Sequence, residues 1–305
     1  MKSKLRRKLR TLRADFLVWL RYRTVRPSQI YLPGCDYLLA IDPNENRARQ
    51  ILIRDVARGR ISSPAKLWRK FVAHFEPNLV VDIGLNYGEC LFGTRYQSEA
   101  LLFGFEANPK IFALASRSRE NHPSKNSITL TNALISDRAG PDQELFVDPG
   151  WSGTASAIQA IHNTGRAMKY SVPVKAVSNL VPPALAEGKK LLFKLDIEGY
   201  EPKAMKGFYE TIDRAGLVVG LMEFDTQFLS LGGTDPTSFI NGLKQRFHIF
   251  VSPDKSYKTL RRVSSLLDLP EPKPGTNRRH TDFILIKNDA LWRSCLPPDL
   301  QAPVD

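Results

Sequence analysis

The chain has 305 residues, 42% of them hydrophobic, and carries 44 Lys and Arg against 31 Asp and Glu for a net charge of +13. That content supports one large α/β core with added structure, while no apolar run approaches the roughly 18 residues that span a bilayer, which argues against an integral membrane protein. Cys35, Cys90 and Cys295 lie far apart with no zinc-type pairing and read as reduced thiols of an intracellular protein.

The charge is concentrated at the start. Residues 1–26 hold Lys2, Lys4, Arg6, Arg7, Lys8, Arg10, Arg13, Arg21, Arg23 and Arg26 against Asp15 alone, a local charge of +9. Leu5, Leu9, Leu12, Phe16 and Leu20 recur every three or four residues, which on a helix aligns them in one stripe between cationic flanks. Such a basic amphipathic helix can pack its stripe on the rest of the chain, or it can give peripheral association with an anionic membrane through residues 1–26. Its apolar core, FLVWL, is too short for a signal peptide, so the expected location is cytoplasmic, at the inner membrane face in the second case. Nucleic acid is the weakest partner reading, because no nucleic-acid-binding motif accompanies the charge.

Residues 27–74 read as a linker, broken by Pro27, Pro33 and Gly34, and a variable lead-in. Within it Ser63-Pro64 starts a helix whose stripe is Leu67, Phe71 and Phe75. A strand over 79–83, a glycine turn, a helix over 88–98 and a strand over 101–106 follow, and Asn108-Pro109 caps and opens another helix. The third strand is expected over 127–135. Between 143 and 178 the alternation fails, with ELFV, a Gly/Ser/Thr-rich loop (149–157) and the β-like YSVPVKAV; such an excursion usually covers the carboxyl edge of a sheet. Order resumes with strand 191–196, helix 201–214, strand 217–223, helix 235–246 and strand 281–287. The pattern predicts an α/β fold, a doubly wound Rossmann-like sheet, mostly parallel, occupying 75–290, with a C-terminal tail over 291–305.

The segment from Asn78 to Glu106 carries the most chemistry. Leu79–Val81 deliver Asp82, Gly84, Asn86 and Gly88 into a turn, and Leu101–Phe105 end on Glu106, 22 residues after Gly84. That is close to the roughly 20-residue gap at which a carboxylate meets ribose hydroxyls in doubly wound sheets. The glycines fit neither a dinucleotide fingerprint nor a P-loop, and Asp82 beside them suits a cationic ligand better than a diphosphate.

In this respect the chain resembles class I S-adenosylmethionine-dependent methyltransferases and, more narrowly, the FkbM family. The likeness rests on VVDIGLNYGE (80–89), GFEANP (104–109), NALISDRAG (132–140) and LLFKLDIEGYEPKAMKG (191–207), in the family's order. It implies seven strands with an antiparallel last one and S-adenosyl-L-methionine as cofactor, held by Asp82, Gly84, Asn86, Gly88, Glu106, Asn132, Ala133 and Asp196. It also implies methyl transfer to an oxygen, most naturally a sugar hydroxyl in a glycan, glycolipid or glycosylated natural product. Methylation of nucleic acid or protein, or a cofactor-binding module without turnover, are the rival readings.

Asp196, Glu198 and Glu201 put three acids within six residues, which is costly unless they bind a cation or move protons. Asp196 or Glu198 is the expected base for the acceptor hydroxyl. Glu223 and Asp225 at the next strand end can join Asp196 around Mg2+, although no ligand spacing specific to a metal is present. For the acceptor, Trp151 offers an aromatic face, with Ser152, Ser156 and Glu223 as polar contacts, and His162 is an outside candidate for the base.

Overall fold

The structure is a computed structural model that describes residues 2–162, 167–254, 257–272 and 275–300; the side chains of residues 2–8, 10 and 58, Leu5 among them, and residues 301–305 of the predicted tail lie outside that description. In chain order, α1 (Lys2–Tyr22), β1 (Gln29–Tyr31), β2 (Leu38–Ala40), α2 (Asn46–Arg58) and α3 (Ser63–Phe75) precede the central strand β3 (Leu79–Ile83). Next come β4 (Leu101–Glu106), α4 (Pro109–Asn121), β5 (Ile128–Asn132), β6 (Leu134–Ser136), β7 (Gly140–Asp148), β8 (Trp151–Ser156) and β9 (Met168–Ala176). The chain continues through α5 (Val177–Leu180), α6 (Pro183–Ala186), β10 (Lys190–Leu195), α7 (Glu201–Lys206), α8 (Tyr209–Arg214), β11 (Leu217–Asp225) and α9 (Thr226–Leu231). It closes with α10 (Pro236–Lys244), β12 (Phe247–Val251), β13 (Arg261–Arg262) and β14 (His280–Lys287).

The main sheet has the order β13-β12-β14-β11-β10-β3-β4-β5. β11, β10, β3, β4 and β5 pair in parallel, and β14 runs antiparallel between β11 and β12. Apart from the two-residue β13, this is the expected doubly wound sheet of seven strands with an antiparallel last strand. Every residue of β3 is buried, because helices cover both faces. Val80, Leu102 and Leu192 meet residues of α2, α3 and α4 on one face, while Val81, Phe193 and Phe224 meet α7, α8 and α10 on the other.

Local signals set several elements as read. Ser62 caps α3 with its side chain on Ala65 N, and Asn108 caps α4 on Lys110 N with Pro109 at the first position. Elsewhere tertiary contacts changed the outcome. No helix forms over 88–98: Gly88 has φ +78 with the Phe92 ring where a Cβ would sit, and Gly93 is pressed on the Glu89 carbonyl, so the segment is a chain of turns. The predicted strand 127–135 splits after β5, and β6 leaves for a second sheet of order β6-β9-β7-β8. The Gly/Ser/Thr-rich loop is largely β8, paired antiparallel with β7. Helix 201–214 breaks into α7 and α8 at Gly207, whose missing Cβ makes room for the Ser136 carbonyl of β6. The segment read as linker is folded in: Ile30, Leu39, Leu52, Trp68 and Phe71 share one core with Val80 and Leu192, as do Cys295 and Leu296 of the tail.

Gly84, with φ +79, is the tightest point of the sheet edge: a Cβ there would stand 1.9 Å from the Asp196 carbonyl oxygen. Gly84→Ala is therefore expected to lower the unfolding free energy in a urea titration by about 2–4 kcal/mol. Gly140→Ala, which faces open space, should change it by less than roughly 0.5 kcal/mol.

Candidate active site

A cavity of about 730 Å³ lies over the carboxyl ends of β3, β4, β10 and β11, with β8 and α2 forming its opposite wall. This is the crevice position at which open α/β sheets hold ligands. Gly84, Asn86, Glu106, Ala133, Trp151, Ser152, Ser156, Asp196, Glu198 and Glu223 all line it.

Glu106 is 6% exposed, and its two oxygens accept the backbone N–H groups of Asn86 (2.7 Å) and Asn108 (2.8 Å). The end of β4 is thus clamped to the glycine turn after β3. Burial pushes the Glu106 carboxyl up to about 7, against the two N–H donors that favour the charged form. Asn86, at φ +50, donates its side-chain amide to Ser152 O and Oγ (3.3 Å each), linking the turn to β8. Glu45, the cap of α2, completes the wall: its buried carboxylate accepts from Arg47 N, Ala48 N, Ser152 N and the Tyr87 hydroxyl.

Three residues expected to touch the ligand are not on the wall. Asp82 is fully buried on the face of β3 that also carries Val80, where Lys194 on β10 lies 3.5 Å away, and neither Asp82 oxygen has a hydrogen bond among the described groups. Burial raises its carboxyl to about 6, with the Lys194 charge opposing. Gly88 serves the turn around Phe92. The Asn132 amide donates to the carbonyls of Glu106 (2.7 Å) and Ala107 (3.0 Å), so it shapes the chain after β4.

Lys194 was not anticipated, yet it joins the two halves of the edge. Its Nζ donates to Gly84 O (2.9 Å) and pairs with Asp196 (3.2 Å) as well as Asp82. Burial works against its charge, but the two carboxylates raise its pKa and keep it protonated. A lone Lys inside the apolar run LLFKL was the available signal.

Asp196, Glu198 and Glu223 each bring one oxygen to a common point, all within 4.8 Å, a geometry that can hold a divalent cation or share a proton. Glu198, at φ +54, has its carboxyl raised well above the ordinary range by burial, then by Glu223 and Asp196. Glu223 is raised to about 7 by burial and Asp196, while His280 Nε2 at 3.0 Å pulls the other way. Asp225 does not join the group: it caps α9 through Gln227 N and Phe228 N and binds Arg278 Nε at 2.6 Å. Glu201 is also turned away, buried, accepting from Ile197 N (3.0 Å), with its carboxyl raised to about 8 by burial and then Glu223.

On the β8 side, the Trp151 indole lies over Gly153, whose Cβ would meet Nε1 at 2.9 Å. Ser152 Oγ accepts from Asn86, and the Ser156 hydroxyl donates to Glu198 O (2.9 Å) and accepts from Ile158 N (3.1 Å), so both hydroxyls hold the site's shape. His162 sits against the Phe146 ring, off the cavity wall. Sequence reasoning passed over His280 and also Arg47 and Arg54, cavity residues of α2 that both pair with Glu89 (2.8 and 3.0 Å). Their signal is spatial, since nothing in the local sequence ties them to the strand ends.

No family model and no curated protein matches the chain. Among solved structures, methyltransferase FkbM from Methylobacillus flagellatus is 14% identical at a TM-score of 0.39, over 69% of this chain and 44% of that one. The chain thus spans less than half the length of that protein. An O-methyltransferase from Bacillus cereus in complex with SAH is 11% identical at 0.37, covering 75% and 83% of the two chains. The O-methyltransferase TomG from Streptomyces achromogenes, in complex with SAM, is 10% identical at 0.41, covering 76% and 83%. Fold and site together define a Rossmann-like α/β protein with an acid-lined cavity at its strand ends.

Asp82, Glu106, Glu201 and Glu223 bind protons more tightly folded than unfolded, so their contribution to stability is complete below about pH 4 and is lost as pH rises through about 6 to 8. The urea midpoint should fall between about pH 5 and pH 8.5, and Glu201→Gln, which keeps an acceptor for Ile197 N–H, should make the fall shallower. Lys194→Met strands Asp82 and should cost about 3 kcal/mol at pH 8 but clearly less at pH 5, where Asp82 takes up a proton.

Proposed function

We propose that the protein is an S-adenosylmethionine-dependent O-methyltransferase whose acceptor is a hydroxyl of a sugar in a glycan, glycolipid or glycosylated natural product. The observation that carries the reading is the arrangement of strand tips: Glu106 clamped beside the Gly84 turn on one side of the cavity, and the Asp196, Glu198 and Glu223 carboxylates on the other.

The residues fit such a cofactor. Each Glu106 oxygen has one N–H partner and keeps a lone pair for a ribose hydroxyl. Phe105, Ala133, Leu134 and Ile135 give the same wall an apolar surface suited to a purine. Gly84 leaves its backbone open to close approach, and Asp196, fixed by Lys194, sets negative charge where a sulfonium is to be held. The cofactor supplies an electrophilic methyl group.

The chain's part is to bind, orient and take the proton. Trp151 presents an aromatic face to the apolar side of a pyranose at the cavity wall. Glu198, crowded by Glu223 and Asp196, has the raised proton affinity of a general base, and Glu223 connects it to the exposed His280 imidazole as a route to solvent. Because burial and then Glu223 and Asp196 raise the Glu198 carboxyl well above the ordinary carboxylate range, its base form is populated only above that range, and turnover rises with pH there.

Incubation with methyl-labelled cofactor and candidate polysaccharides, with the new ether located by mass spectrometry, tests the reading; no transfer to any sugar hydroxyl would contradict it. Glu198→Gln is expected to slow turnover by about 10²–10⁴-fold while cofactor affinity stays within roughly threefold, whereas Asp196→Asn is expected to slow turnover and to weaken binding of the cationic cofactor as well. Loss of activity on chelation, restored by Mg2+, would assign the three carboxylates to a cation instead of a proton.

A further inference from the structure

We infer that the outward face of α1 is a docking surface for an anionic lipid bilayer. The helix is fixed to the protein by its other side: Ala14 and Val18 are buried, Arg21 pairs with Asp55 at 3.0 Å, Asp15 pairs with Arg49, and the Tyr22 hydroxyl accepts from Tyr31 N. Those contacts settle α1 on α2. At about 100° per residue, Leu9, Leu12, Phe16, Trp19 and Leu20 then form one stripe nearly opposite Ala14 and Val18. They are 57%, 56%, 57%, 44% and 45% exposed. The stripe read from the sequence is real, and the described fold leaves it uncovered.

What covers such a face follows from its charge. Asp15, the only acid in residues 1–26, is taken by Arg49 on the anchored side, while Arg13 beside the stripe and Arg23 and Arg26 just past the end of the helix are exposed. A second copy of this chain would bring two strongly cationic segments together, which opposes self-association. An anionic bilayer satisfies both halves of the surface: apolar side chains enter the acyl boundary and the cations meet the headgroups. The aromatic pair Phe16–Trp19, stacked at 6.4 Å with Arg23 over the Trp19 ring at 5.5 Å, has the amphipathic character favoured at that boundary. No helix of the described residues is long and apolar enough to cross the membrane, so the mode is one of lying on the surface. The inference is independent of the chemistry in the cavity.

The test is co-sedimentation of the full chain with phosphatidylcholine vesicles, with or without phosphatidylglycerol. Binding should be roughly tenfold stronger with phosphatidylglycerol and should weaken steeply with added salt. The double variant Leu12→Ser/Phe16→Ser and, separately, Arg13→Gln/Arg23→Gln should each reduce it at least about fivefold with an unchanged thermal midpoint, because all four side chains are exposed. Equal sedimentation with both vesicle types, or wild-type sedimentation of both variants, would overturn the inference. So would absence of vesicle binding together with dimers in light scattering that Leu12→Ser/Phe16→Ser abolishes, which would make the face a protein interface.

Discussion

The contact on which the site depends is the buried ammonium of Lys194. It lies between Asp82 on β3 and Asp196 just beyond β10, and it donates to the carbonyl of Gly84 in the turn that follows β3. Two parallel strands are thereby locked together at their carboxyl ends by charge as well as by their ladder hydrogen bonds. The close approach of Gly84 to the Asp196 backbone is possible because the glycine has no side chain. A side chain at position 84 would meet the Asp196 carbonyl oxygen, and loss of the cation at 194 would leave Asp82 buried without its partner.

From that lock the rest of the cavity follows. Glu106 is drawn to the same turn through Asn86 N, and Asn86 in turn reaches β8, which Glu45 ties to α2. The second sheet is consequently a structural lid wall joined to the main sheet by directed hydrogen bonds. Opposite, Glu198 and Glu223 gather around Asp196, whose own partner is Lys194, and burial with this crowding raises the proton affinity of both glutamates, Glu223 to about 7. Carboxylates of ordinary strength would be fully charged there and mutually repelled; burial and crowding give this cluster its capacity to exchange a proton or to accept a cation.

Much of this was legible in the sequence because the deciding interactions are local. Strands β3 and β4 are short apolar runs bounded by glycine or by an acid, and the helix after β4 carries its own cap in Asn108-Pro109. Glu106 could be placed on the crevice because a residue at a strand's carboxyl end has few other places to point. What failed was non-local. Gly88 and Gly93 prevent a helix through contacts with Phe92 and Glu89 that follow from the turn's path. The strands of the second sheet depend on pairing β7 with β9, separated in sequence by β8. The positions of Asp82 and Asn132 off the cavity wall were not legible either, because the partner of Asp82 is Lys194 on another strand and the Asn132 amide bonds the chain end after β4.

The central claim is that the cavity holds an adenosyl sulfonium cofactor through Glu106. Isothermal titration with S-adenosylhomocysteine tests it most directly, for the wild type and Glu106→Gln at about pH 6 and pH 8. The account predicts one-to-one binding that tightens severalfold at the higher pH, as Glu106 ionises and accepts the ribose hydroxyls, and a weaker affinity with a smaller pH dependence for the variant. Absence of heat with the wild type at either pH, or identical affinities for wild type and variant, would contradict it.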